Sequence, residues 1–304
     1  MKIKKNIIKK VKELVNKLPY VRTLYKQSLN CCFPNGHFYS PVISIEGIKK
    51  REAEIWKKRD EDGISGVELR TEEQIKLLQQ FAKYYTELPF KAEKQEKLRY
   101  LFENGSYSYT DGIILYSMIR HFEPKRIIEI GSGHSSMVML DTNELFFNNQ
   151  INLTFIEPYP EKLYSLMKEW DKKETTVVKR EVQQVSLDVF EKLEAGDILF
   201  VDSTHISKTG SDVNFILFEI LPVLKSGVLI HFHDVFYPFE YTKEWVFQGR
   251  NWNEDYILKA FLMYNDKFEI KLFSEYLHKH HKNVFEEMPL CYNNAGGNLW
   301  IEKK

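Results

Sequence analysis

The chain has 304 residues, 43% of them hydrophobic, which is ample for a sizeable core, and its 43 Lys and Arg balance 43 Asp and Glu. Zero formal net charge excludes a protein that holds nucleic acid through a global positive field, so no nucleic-acid partner is expected. Cys31, Cys32 and Cys291 have no metal-ligand spacing and cannot build a disulfide framework, and no stretch reaches the roughly 18 apolar residues of a membrane-spanning helix, so a cytoplasmic location is the expectation.

The first elements are helical. Ile3, Ile7, Val11, Leu14 and Leu18 recur at helical spacing in a segment where nine Lys or Arg stand against one Glu, without the continuous apolar run of a signal peptide. A basic amphipathic helix of this kind makes peripheral contact with an anionic membrane, packs on its own domain, or meets a second copy in a homo-oligomer, and all three readings stay open. "IEGIKKREAEIWKKR" and "TEEQIKLLQQFAKYY" are the next periodic segments, separated by "CCFPNGHFYSPV" and "DEDGISG". Residues 1–104 therefore read as a helical N-terminal extension, followed by a second domain over 105–304.

That second domain alternates. Helix "YTDGIILYSMIRHF" precedes strand "RIIEIG", then helix "SSMVMLDTNELFF", strand "INLTFIE", helix "EKLYSLMKEW" and strand "TTVVKRE". A short helix near "LDVFEKL" leads to strand "DILFVDS", helix "DVNFILFEILPVL" and strand "GVLIHFH", and then helix "NEDYILKAFLMYN", strand "KFEIKLF", an irregular "EYLHKHHKN" and strand "GGNLWIEK". Short apolar, β-rich runs alternating with helices predict an α/β fold with a doubly wound, Rossmann-like, mostly parallel sheet of seven strands. The last two strands lack a full crossover helix between them, so an antiparallel strand at the sheet edge is expected. Function in such sheets sits at the carboxyl ends of the strands.

The strand ends carry the chemistry. "EIGSGHSS" offers Gly131 for a tight turn and Gly133 for close backbone approach to a ligand, with Glu129 just before them, although a glycine pair is also an ordinary strand-to-helix turn. The second strand ends in Glu157, a carboxylate placed to accept both hydroxyls of a ribose. After the third strand come Gln183 and Gln184, near where an adenine would lie, and which of them points inward stays open. The fourth strand delivers Asp202 and His205 to the same rim, and the fifth delivers His233 and Asp234. Two carboxylates and two imidazoles on adjacent strand ends suit a divalent ion, Mg²⁺ or Mn²⁺ by the oxygens and Fe²⁺ or Zn²⁺ by the imidazoles, or else a metal-free polar network. His231, two residues before His233, belongs to the same face one step deeper and reads as core. His278, His280 and His281 could be a second metal cluster, but a His-rich stretch on a charged surface reads first as an exposed loop.

In this order and spacing, "FEPKRIIEIGSGHSS", "FIEP", "VQQVSLDVFEKLEAGDILFVDSTH" and "LKSGVLIHFHDVFYP" resemble the class I S-adenosylmethionine-dependent methyltransferases, and within them the bacterial methyltransferase family 24 branch, related to metal-dependent catechol and macrolide-sugar O-methyltransferases. "FPNGHFYSP" resembles a segment of the N-terminal extensions of that branch. The resemblance implies a cofactor loop of Glu129, Gly131 and Gly133, a ribose held by Glu157 and an adenine beside Gln183. It implies a Mg²⁺ ion on Asp202, His233 and Asp234, where the relatives carry Asp-Asn or Glu-Asp at the last pair and the imidazole of His233 is a departure. It also implies a general base three residues after the metal Asp, which here is His205, a group whose ordinary pKa suits proton abstraction from a hydroxyl.

The activity implied is methyl transfer to a hydroxyl of a small molecule or saccharide, with Phe236, Tyr237 and Trp245 together with "GHFYSP" as candidate walls of the acceptor pocket. Two other readings compete: a non-haem metal oxygenase using a facial triad from Asp202, His205 and His233, and a non-catalytic binding module that retains the fold.

Overall fold

The computed structural model describes residues 10, 11, 13, 14, 17–28 and 31–304. Ile3 and Ile7 of the expected basic helix lie outside the described residues; Pro19–Ser28 is helical. Among the described residues no helix is long and apolar enough to cross a membrane.

The chain divides into two compact units, one of residues up to Trp56 with Lys243–Asn251, the other of Lys57–Thr242 with Trp252–Lys304. The expected boundary between 104 and 105 does not coincide with this division. Thr71–Tyr85 (α1) is the reason: Gln74, Leu77, Leu78 and Phe81 on one of its faces are buried with the sheet domain, and the Gln74 side chain accepts from the Phe273 amide at 2.7 Å.

The smaller unit is built of short helices. "IEGIKKREAEIWKKR" breaks into Ile45–Lys50, capped by the Ser44 hydroxyl on the Gly47 amide, and Glu52–Ile55. Trp56 packs edge-on to Phe247, and the Asn251 side chain accepts from the Ile43 amide. Phe33, His37, Phe38 and Tyr39 stack on one another, leaving Phe38 80% exposed.

In the larger unit seven strands form one sheet: β1 (Arg126–Ile130), β2 (Asn152–Ile156), β3 (Thr176–Val178), β4 (Ile198–Val201), β5 (Leu229–His233), β6 (Phe268–Phe273) and β7 (Asn298–Lys303), in the order β3-β2-β1-β4-β5-β7-β6. The first five are mutually parallel, and β7 runs antiparallel between β5 and the edge strand β6. The strands "RIIEI", "ILFV" and "LIHFH" are buried on both faces but for Arg126, as strands of a sheet covered by helices on both sides are. Tyr109–Phe122 (α2) is buried from Thr110 to Ile119, as its nearly continuous apolar surface demands. It is followed by His134–Phe146 (α3) and Glu161–Leu166 (α4).

The segment "DVNFILFEILPVL" is helical but interrupted: Asp212–Phe215 (α5) passes through a π turn at Ile216–Ile220 into Leu221–Val223, where Pro222 has no amide to donate. Glu254–Leu262 (α6) follows β5. The "EYLHKHHKN" stretch is a correction, since Ser274–His280 (α7) is a helix with Tyr276 and Leu277 buried. His278 stacks on Phe285 at 4.0 Å, and burial pushes its imidazole down to about 4. Adjacent aromatic and aliphatic residues supply the buried face that the run of histidines conceals.

Candidate active site

Register places the site. Ile130 of β1 pairs with Ile156 of β2 and with Val201 of β4, and Val201 pairs with Phe232 of β5. The next residue of each strand therefore falls in one row across the sheet: Glu157, Gly131, Asp202 and His233. Strand order reverses between β1 and β4, and loops that diverge there open a crevice at the carboxyl ends. Gly131 is required at its place, because φ is +78° and a Cβ would lie 1.9 Å from the Asp202 carbonyl oxygen.

The crevice is a cleft of about 450 Å³ lined by Gly131, Glu157, Gln183, Asp202, Ser203 and Asp212 among others, within the size range of small-molecule sites. Glu157 accepts from the Ser132 amide at 3.1 Å and the Tyr159 amide at 2.8 Å, which fixes its carboxylate on the cleft wall. Gln183 is the inward residue of its pair. It is half-buried and donates to the Gly210 carbonyl at 2.9 Å, whereas Gln184 is exposed. Of the five expected cofactor residues, Gly131, Glu157 and Gln183 line the cleft; Glu129 and Gly133 stand behind it.

Glu129 is fully buried beneath the first turn of α3, where it accepts from Ser135 Oγ at 2.5 Å and from Ser136 Oγ. Burial pushes its carboxyl up to about 8, against the pull of those hydroxyls. The Gly133 amide donates to Ser136 Oγ at 3.1 Å, and a Cβ there would meet nothing closer than Lys162 Nζ at 3.6 Å. The two residues shape the turn that carries Gly131 and Ser132.

On the other side of the crevice lies the titratable cluster. His205 is buried, with Nε2 3.5 Å from Asp202 Oδ1 and 3.8 Å from Asp234 Oδ2, and Nδ1 2.8 Å from Glu254 Oε2. Burial opposes its charge, but hydrogen bonds to Asp202 and Glu254 outweigh it and hold the imidazole well above its ordinary value. Asp202 answers in kind: burial would raise it, yet the bond from His205 and the nearby His233 charge hold it below the usual carboxylate range. His205 and Asp234 both have left-handed backbones, at φ 60° and 57°, a strain of about 1–3 kcal/mol each that concentrates at functional sites.

The expected metal set is not assembled. His233 turns Nε2 toward Asp234 Oδ1 at 3.4 Å, its Nδ1 has no hydrogen-bond partner, and Asp202 and Asp234 both converge on His205. Among the described residues no three His, Cys, Asp or Glu side chains are disposed to hold a metal ion, which covers the Mg²⁺ trio, the facial triad and the α7 histidines alike. In this arrangement the two carboxylates face the imidazole and are not disposed around an ion.

His231 is core, as expected: it is fully buried and stacked on Phe200 at 4.1 Å. The acceptor-wall expectation changes. Tyr237 is buried, with its hydroxyl bonded to the carbonyls of Glu61 and Gly63, so it is packing, while Phe236 is half-buried. Trp245 and "GHFYSP" belong to the smaller unit, where Trp245 stacks with Arg250.

Two site residues are invisible to motif reading. Glu254, at the start of α6 and 49 residues beyond His205, reaches its imidazole, and Asp212, at the start of α5, receives the Thr204 amide at 2.8 Å and hydroxyl at 2.7 Å. The available signal was an acid opening each helix, which the helix dipole alone also explains.

Residues 128–235 match the profile of a family described as a methyltransferase domain. An uncharacterized protein of Archaeoglobus fulgidus is 36% identical over 167 residues, which cover 53% of this chain and 74% of that one. Among solved structures, an SAH-bound Podospora anserina methyltransferase aligns at 17% identity over 90% of this chain and 99% of that chain, with a TM-score of 0.41. The O-methyltransferase TomG from Streptomyces achromogenes, in complex with SAM, aligns at 15% identity over 78% and 91%, with a TM-score of 0.40. The matched segment runs from β1 to just past β5 and includes the strand-end glycine turn and the cleft, so the chain carries a methyltransferase domain over residues 128–235.

Proposed function

We propose that the protein transfers a methyl group from S-adenosylmethionine to a hydroxyl of a small molecule or saccharide, with His205 as general base. The observation that carries this reading is the row of Glu157, Gly131 and Asp202 along one cleft, with His205 Nε2 3.5 Å from Asp202. When bound, the cofactor supplies a methyl group on a cationic sulfur. Glu157 is suited to the ribose hydroxyls, Gln183 to the adenine, and the Gly131 turn to close backbone approach.

The residues of this chain then need only align the acceptor, exclude water and remove a proton, which suits methyl transfer because proximity lowers most of the barrier. With the cofactor held by Glu157, Gln183 and the Gly131 turn, and its methyl group passing to the acceptor oxygen to leave a neutral thioether, the group this chain must itself accept is the hydroxyl proton. The hydroxyl proton passes to His205 Nε2, and the resulting imidazolium is stabilised by Asp202, Asp234 and Glu254.

Isothermal titration of the protein with S-adenosylmethionine and S-adenosylhomocysteine, beside Glu157→Ala and Asp202→Ala and with or without Mg²⁺, Mn²⁺ and Fe²⁺, tests the reading. Cofactor binding weakened at least tenfold in Glu157→Ala is the expected result, the size of a lost charge-assisted pair at about 1.5–3 kcal/mol. No binding of either compound under any condition overturns it, and a metal heat lost in Asp202→Ala would return an ion to the strand ends.

A further inference from the structure

We propose that Glu254 is the positioning residue of this site: it holds the His205 ring with Nδ1–H turned to itself, so that Nε2 is the atom presented to the acceptor. The inference deepens the methyl-transfer reading and rests on it for the role of Nε2, but the geometry stands without it.

The pair is built from two loops locked together. His205 follows β4, Glu254 opens α6, and the amides of Asn253 and Glu254 donate to the His205 carbonyl at 3.0 and 3.2 Å. Asn253 clamps the next turn, its side chain accepting from the Ser207 amide at 2.6 Å and donating to the Ser207 carbonyl at 3.2 Å. Trp252 lies against the His205 ring, with centroids 4.2 Å apart. The left-handed backbone of His205 is thus over-determined by its surroundings, the condition under which such strain persists.

Glu254 itself is 2% exposed, and Ser203 Oγ donates to both of its oxygens, at 3.0 and 3.2 Å, while receiving the His205 amide at 3.0 Å. A buried carboxylate needs donors, and after Ser203 the remaining one is His205 Nδ1–H at 2.8 Å. The shorter contact assigns the tautomer: the charged ring carries a proton on both nitrogens, and the one released is on Nε2, 3.5 and 3.8 Å from Asp202 and Asp234, while Nδ1 keeps its own at 2.8 Å from Glu254. When Nε2 takes the acceptor proton, the positive charge that develops on the ring faces the Glu254 carboxylate. Removing that carboxylate costs the ring both its orientation and its counter-charge.

Nitrogen-15 NMR of histidine-labelled full-length protein, with the His205 signal identified by its loss in His205→Asn, reads the tautomer directly. Imidazole in water favours the opposite form, with the proton on Nε2. Wild-type protein at a pH that neutralises the ring is expected to show Nδ1–H at His205, Glu254→Gln to retain it through the amide oxygen, and Glu254→Leu to revert to the solution preference. Glu254→Asp restores the wild-type signal at least in part. Calorimetry on the same samples checks that affinity for S-adenosylmethionine changes less than twofold in Glu254→Gln, since Glu254 is not on the cleft wall. An Nε2–H tautomer in wild type, or an unchanged one in Glu254→Leu, overturns the proposal whether or not the cofactor binds. Failure of cofactor binding in wild type would strike the methyl-transfer reading alone.

Discussion

Glu129→Gln should change how stability depends on pH. In the folded chain the Glu129 carboxyl is fully buried beneath α3 and pushed up to about 8, while in the unfolded chain it titrates near 4.5. The sign follows from proton counting. Below pH 4.5 both states hold the proton and the group contributes no slope. Between 4.5 and 8 the unfolded state has released it and the folded state has not, so stability falls as pH rises, and above 8 the loss is complete. The gap between the two values corresponds to a loss of about 5 kcal/mol across the window, with one pH unit worth about 1.4 kcal/mol. Gln keeps the shape, with its oxygen accepting from one of Ser135 and Ser136 and its amide donating to the other, but it does not titrate. Urea unfolding of wild type and Glu129→Gln at pH 5, 6.5 and 8 measures the difference. The variant should gain on wild type by several kcal/mol from pH 5 to pH 8. Parallel curves would refute the reasoning and mean that the two hydroxyls and the α3 amino terminus keep Glu129 ionised.

His231→Phe should stabilise the chain, and more at low pH. Neither ring nitrogen of His231 has a hydrogen-bond partner, and burial pushes its imidazole well below the ordinary value, so its contribution is intact above 6.5 and is lost as pH falls. The gain at pH 5 over that at pH 8 is at most about 2 kcal/mol for a group that titrates near 6.5 when unfolded, and thermal melts at the two values check it; a pH-independent gain would refute it. The rate of methyl transfer to a hydroxyl acceptor should rise with pH through an inflection above 6.5. The reason is that Asp202 and Glu254 hold His205 protonated, with Asp234, Asp255, His233 and the Trp252 ring also close to it, and a base must first be neutral. A rate that is flat from pH 6 to 9 would remove His205 from that role.

The elements of the sheet domain could be read from the sequence because their signals are local. "YTDGIILYSMIRHF" and "TEEQIKLLQQFAKYY" carry the apolar periodicity of helices over the same residues that are helical, and "RIIEIG" and "DILFVDS" are short apolar runs of the length a buried strand needs. The strand-end residues Gly131, Glu157, Asp202, His205 and His233 could be picked out for the same reason: each stands at the end of a strand that the chain announces or within a few residues of it.

What the sequence determined by itself is therefore the α/β alternation and which residues stand at the carboxyl edge, since both depend on neighbours within a few positions. Tertiary structure alone decided how those residues meet. Register put four of them in one row, turned Glu129 under α3, gave the inward place to Gln183 over Gln184, and carried β7 between β5 and β6. It also brought Glu254 across 49 residues to His205, and drew Asp202 and Asp234 toward the same imidazole. Such partnerships arise when separate loops are packed against one sheet edge, where a buried charge must find its counterpart in space, and no local pattern in the chain records which one it finds.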